Sequence, residues 1–228
     1  MTDFLIPGEA ALFFAINQAH SFLADHIMYL YSGQKIWIAP AALIIFTIIY
    51  KHSWREWLPV LVFIVLTVAV CDFVSSGIFK PLIARPRPTS FPGIMEHVRT
   101  LSDHINGHLS YGFISGHATN AFGFATFSAL IFRRKSYTVY IVLWATVMAY
   151  SRVYLGVHFV SDVVGGMLVG SALGFMVYKL YYITVGKFFS STLNSGVYNT
   201  HSVNILTACL AVYTVAFCLL SPWIASGI

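Results

Sequence analysis

The chain has 228 residues, 58% of them hydrophobic and only 9% charged, with a mean hydropathy of +0.76, whereas a soluble domain carries about 25% charged residues. These values exclude intrinsic disorder, a secreted disulfide scaffold and a soluble nucleic-acid binder. A bilayer crossing needs ~20 apolar residues, so the expectation is one integral-membrane domain over residues 1–228, embedded in the bilayer, with no separate soluble unit.

In chain order, Met1-Thr2-Asp3 lacks the basic start of a cleavable signal peptide, so insertion is expected to rest on the spans themselves. Leu12, Ile16, Ala19, Leu23, Ile27 and Leu30 recur at spacings of three and four, with Asn17, Gln18, Ser21 and Asp25 between them. That pattern predicts an amphipathic helix along the membrane interface. Residues 36–50 are apolar but shorter than a crossing, so this span is expected to begin near Met28. Residues 57–79 are long enough to cross, and 113–132, 138–150, 159–183 and 203–226 complete six expected crossings. The fold class is therefore an all-α polytopic membrane bundle with an N-terminal interfacial helix. Cys71, Cys209 and Cys218 lie in apolar runs without zinc-type spacing and read as small core residues.

Alternate loops set the orientation. Lys51, Arg55, Arg133, Arg134, Lys135, Lys179 and Lys187 fall on one side, which should be cytoplasmic. Lys35, Lys80, Arg85, Arg87, Arg99 and Arg152 fall on the other, together with both termini. The second group is nearly as large, and three of its cations have a chemical use.

Three outward segments hold most of the unusual residues: Lys80-Pro-Leu-Ile-Ala-Arg85-Pro-Arg87-Pro88, Ser115-Gly116-His117, and Ser151-Arg152 through His158 to Asp162. Parity of the crossings puts all three at one membrane surface. Lys80, Arg87 and Arg152 offer positive charge and many donors to a phosphoryl group. Ser115, Gly116 and His117 open a helix whose first N–H groups point at an anion, and Gly lets that anion come close. His158 and Asp162, four apart, share a face if helical, so the carboxylate can hold one ring nitrogen while the other attacks. Fully extended, residues 80 to 87 would hold their two cations roughly 22 Å apart, beyond the reach of one phosphate, so this segment must turn or begin helically.

These segments resemble the three signature motifs of the type-2 phosphatidic acid phosphatase superfamily: K-x6-R-P at Lys80 to Pro88, S-G-H at residues 115–117, and S-R-x5-H-x3-D from Ser151 to Asp162. The motif core is 80–162. One position departs, since Ile114 stands where the second motif usually has Pro. The resemblance implies hydrolysis of a lipid phosphate or diphosphate through a phosphohistidine, without metal or other cofactor. His158 would be the nucleophile, oriented by Asp162, and His117 the acid and then the base. Lys80, Arg87, Arg152, Ser115 and the amides near Gly116 would hold the phosphoryl oxygens. Undecaprenyl diphosphate and a lipid A phosphate head the substrate candidates, with phosphatidylglycerophosphate and phosphatidic acid behind them. The site would face the periplasm from a bacterial inner membrane. Nothing in the pattern speaks to oligomeric state.

Other residues read as structural. Asp72, well inside a span, should pair with an active-site cation or be protonated. Arg85 could assist the cation clamp but lies outside the fixed motif positions. Glu96, His97, Arg99, Asp103, His104 and His108 read as a solvated polar loop, or as a reader of the substrate headgroup above the site. Gly165, Gly166, Gly170 and Gly174 suggest close helix packing rather than a phosphate loop. A transporter with a charged path is the alternative class, with Asp72 its main support, although Lys, Arg and His cluster at span ends. A di-iron oxidase would need several His boxes, of which only His104 and His108 resemble one.

Overall fold

The computed structural model describes residues 6–101, 111–188 and 198–225, and every regular element among them is helical. The expected N-terminal helix is two helices, α1 (Glu9–Asn17) and α2 (Phe22–Ser32). Ser21 begins the second, its hydroxyl accepting from the Ala24 N–H at 3.2 Å. The buried face also differs from the apolar stripe. Leu12 and Leu23 are exposed, while α1 buries Glu9, Phe13 and Asn17. Those polar residues go inward because partners await them. The Asn17 amide donates to the carbonyls of Arg99 and Tyr154, both at 2.9 Å, and accepts from the Arg99 N–H at 2.9 Å.

The third helix, α3 (Ile38–Ile49), does not continue α2 as a span from Met28 would. Gly33 is extended there, and a short 3-10 turn redirects the chain by 71°. This elbow is filled by Tyr31 and Trp37, the indole N–H donating to the Tyr31 carbonyl at 2.8 Å. Next, α4 (Trp54–Asp72) passes through a wider π turn, Phe73–Phe79, into the single turn α5 (Lys80–Ile83). The remaining helices are α6 (Gly116–Phe132), α7 (Lys135–Tyr154), α8 (Val160–Phe188) and α9 (Thr200–Ala225).

The molecule is an all-α membrane bundle. Three stretches are long and apolar enough to cross on their own, Trp54–Ser90, Val160–Gly186 and Thr200–Trp223, and the bent α2–α3 pair makes a fourth if taken as one span. Two of the six expected crossings, α6 and α7, fall outside this set. The first has 17 residues, and more than half of them are buried among other helices, so it needs little lipid-facing apolar surface.

The closest packing in the bundle joins α6 to α8, and glycine causes it. A Cβ at Gly170 would stand 2.3 Å from the Thr119 carbonyl oxygen, and one at Gly174 would stand 2.4 Å from that of Gly123. With Gly166 against Ser115, these small residues let two backbones touch, as the sequence suggested. Of the cysteines only Cys71 is buried; Cys209 is exposed on α9, so the core reading fails for it.

Candidate active site

Each functional segment is placed by local rules. The Lys80 motif turns as its prolines require: α5 ends at Ala84, which takes left-handed geometry (φ 49°), and Pro88 opens a 3-10 turn. Ser115 precedes the first turn of α6, and its N–H donates to the Asp162 carbonyl at 2.9 Å. His158 lies in the tight connection between α7 and α8. That connection turns at Gly156 (φ +74°), where a Cβ would meet the Arg99 carbonyl oxygen at 2.9 Å. The polar loop above is thus pressed onto this turn. Arg99 is bound to Asp25 through Nη1–Oδ1 at 2.9 Å and Nη2–Oδ2 at 2.5 Å, and the Tyr154 hydroxyl donates to Asp25 at 2.5 Å. Arg99 therefore fastens the loop. Asp103, His104 and His108 lie outside the described residues.

The structure brings Lys80, Arg87, Gly116, His117, Arg152 and His158 to one cavity of about 490 Å³. Ser115 and Asp162 are wholly buried behind its wall. Among the described residues the Ser115 Oγ has no partner, and neither has the Arg152 Nε. Arg152 is steadied instead by Ser32 at the α2–α3 elbow, whose hydroxyl accepts from Nη1. The charges of Arg152, Arg87 and Lys80 all act on His117.

His158 and Asp162 do not share a helical face as the spacing suggests, because α8 begins only at Val160. The Asp162 carboxylate reaches back instead. Its Oδ2 accepts from the Phe159 N–H at 2.9 Å and stands 3.5 Å from the His158 Nδ1. This leaves Nδ1 beside the carboxylate without a close hydrogen bond. His158 is almost fully enclosed, and burial pushes its pKa down to about 4, outweighing the opposite pull of Asp162. At neutral pH the imidazole is uncharged and holds a free electron pair.

Two residues that the sequence does not reveal complete this side of the site. Arg85 donates to Asp162 Oδ1 at 2.6 Å, to the Ser161 hydroxyl at 2.6 Å and to Glu9 Oε2 at 2.7 Å. Glu9 in turn accepts from the Ser161 N–H at 2.9 Å, and the Arg85 guanidinium lies 4.6 Å from the Phe159 ring centre. All three charged groups are buried. The signal available was weak: an acid and an amide, Glu9 and Asn17, eight apart on a helix whose apolar stripe runs elsewhere. Asp72 forms no ion pair within 4 Å among the described residues and is exposed on the cavity wall, so the expected pairing is absent.

A sequence profile of the PAP2 superfamily matches residues 57–185, more than half the chain. The chain belongs to that family. It is 34% identical over 222 residues to a lipid A 4'-phosphatase of Porphyromonas gingivalis, an alignment covering 96% of this chain and 93% of the relative. A lipid A 4'-phosphatase of Bacteroides thetaiotaomicron is 31% identical over 193 residues, 84% of this chain and 85% of that one. Among solved structures, a transmembrane PAP2-type phosphatidylglycerolphosphate phosphatase from Bacillus subtilis superposes with a TM-score of 0.59. It covers 76% of this chain and 84% of its own at 24% identity, a likeness of fold. The superfamily membership and the apolar helices make this PAP2 protein an integral-membrane lipid phosphatase.

Proposed function

We propose that the protein removes a phosphate from a lipid at the outer, periplasmic face of a bacterial inner membrane, through a phosphohistidine and without a metal ion. The observation that carries this reading is the single cavity in which three cations surround two imidazoles. Nδ1 of His158 faces Asp162, which leaves Nε2 to attack phosphorus. As the N–P bond forms and the ester P–O bond breaks, His117 gives its proton to the departing oxygen. Lys80, Arg87 and Arg152 bear the negative charge of the equatorial oxygens, joined by the Ser115 hydroxyl and the amides at Gly116. Water then attacks the phosphohistidine, His117 takes the water's proton, and free phosphate and enzyme are restored. Positioning and charge supply most of the rate in such transfers.

A lipid A phosphate is the favoured substrate, supported by the names of the two relatives aligned over most of their length. Undecaprenyl diphosphate, phosphatidylglycerophosphate and phosphatidic acid are the competitors. Against the transporter alternative, which drew on Asp72, the lining residues that reach furthest inward, Val68, Phe124 and Trp144, carry no charge. The test is phosphate release from a panel of lipid phosphates by purified protein with EDTA present. The wild type should turn over at least one of them, and His158→Ala none. Normal turnover by His158→Ala would remove it as nucleophile, and loss of wild-type activity with EDTA would remove the metal-free scheme.

A further inference from the structure

The cavity is longer than a phosphate requires. On α4 and its continuation the lining residues are Val68, Asp72, Ser76 and Lys80. Twelve residues of helix rise span roughly 15–18 Å. Its outer end carries the cations and its inner end is walled by Val68, Phe124 and Trp144. Between them the wall carries Asp72, Ser76 and Asn120, and the Ser76 hydroxyl accepts from the Lys80 Nζ at 3.4 Å, so this polar zone adjoins the clamp. Among the described residues the buried Asn120 Oδ1 and Trp144 indole N–H have no partners. Buried polar atoms are normally satisfied, so an orphan acceptor and an orphan donor on one cavity wall mark places for a ligand's own polar groups.

We infer that this middle zone is a headgroup-reading subsite, with Asp72 as its specificity-determining residue. It selects phosphomonoesters whose alcohol portion bears hydroxyl or amide hydrogens, and it rejects diphosphates. The inference rests on the cation-lined end holding the phosphoryl group. A carboxylate and an amide oxygen accept hydrogen bonds from O–H and N–H groups, and the indole N–H donates to a carbonyl. An acylated sugar offers both kinds of partner. The second phosphate of a diphosphate would instead bring anionic oxygens toward the Asp72 carboxylate, and like charges repel strongly in a partly desolvated cleft. An apolar inner wall then receives hydrocarbon from the same lipid.

The experiment measures kcat and KM in detergent micelles for wild type, Asp72→Asn and Trp144→Phe. Two lipids are compared, an acylated-sugar monophosphate and undecaprenyl diphosphate, beside a small soluble phosphomonoester. Asp72→Asn keeps side-chain shape, Trp144→Phe removes ring volume together with the indole N–H, and thermal unfolding checks that each variant is folded. Wild type should prefer the sugar monophosphate. Asp72→Asn should raise kcat/KM for the diphosphate roughly ten-fold and lower it for the sugar lipid. Trp144→Phe should raise KM for the sugar lipid more than for the small ester. Equal effects of Asp72→Asn on all three substrates, or none on the ratio of the two lipids, would overturn the subsite. Absence of wild-type hydrolysis on every substrate would sink the phosphatase reading itself, a result separate from any shift in selectivity.

Discussion

Arg85 holds Asp162 from behind, its Nη1 donating to Oδ1 at 2.6 Å while the other carboxylate oxygen serves Phe159 and faces His158. The His158–Asp162 pair is thus the visible end of a buried line of charge that runs back through Arg85 to Glu9. Glu9 and Asp162 both pair with Arg85, the cation within 4 Å of each among the described residues.

Replacing Arg85 by Met should therefore destabilise the protein by about 3–5 kcal/mol, since removing one partner of a buried ion pair leaves uncompensated charge. Glu9→Gln should be milder, because the amide oxygen can still accept from Arg85. Thermal unfolding in detergent measures both. If Arg85→Met melts like wild type, the cluster has no structural weight.

His117 and His158 should fail in different ways. Loss of the nucleophile by His158→Ala should lower kcat at least about 1000-fold for every substrate. The His117→Ala variant should be slow for lipid alcohols, which need a proton on departure, and much less impaired for a phenolic ester that leaves unaided. Matching losses across leaving groups for both variants would contradict the division of labour.

The enclosure of His158 fixes a pH expectation. With its folded pKa pushed down to about 4 by burial, the imidazole stays neutral from pH 7 to 5, where an ordinary histidine would be largely protonated. An unfolded chain binds that proton near pH 6.5 and the folded one does not, so this residue draws down stability as pH falls from about 6.5 to about 4. Above that window it contributes no pH dependence. Histidine NMR, with the resonance assigned by its disappearance in His158→Ala, should show a midpoint near 4; one near 6.5 would contradict the enclosure.

Gly170 tests the α6–α8 seam. Alanine there sets a carbon against the Thr119 backbone, which cannot swing aside, and should cost about 1–3 kcal/mol. At Gly77 the added carbon meets only the Phe73 ring, at 3.3 Å, so Gly77→Ala should be better tolerated. Melting temperatures of the two variants should rank in that order.

The readable parts of this molecule are those encoded by neighbours in sequence. Apolar run length located the three long spans near 57–79, 159–183 and 203–226, and fixed spacings flagged Lys80, Arg87, His117, Arg152 and His158, which meet in one cavity. What escaped depended on distant partners. The apolar stripe of α1 suggested an interfacial helix and said nothing of Glu9 and Asn17, which turn inward because Arg85, Arg99 and Tyr154 wait there. A hydropathy profile scores Glu9 as polar whether it meets water or a guanidinium. The break at Gly33 lies in a short polar stretch, Ser32-Gly33-Gln34-Lys35, between two apolar runs that together have the length of one crossing. Asp72 was read as paired because an acid in a span usually is, whereas a cavity wall supplies another setting.

The bond from the Ser161 amide to Glu9 joins positions 152 apart along the chain. During synthesis Glu9 leaves the ribosome long before the helix that receives it, so the support behind His158 is completed only after α8 has arrived. A fragment ending ahead of that helix would hold a stranded acid with nothing to brace. Two halves divided anywhere between these positions would need to reassociate before either regained a working imidazole.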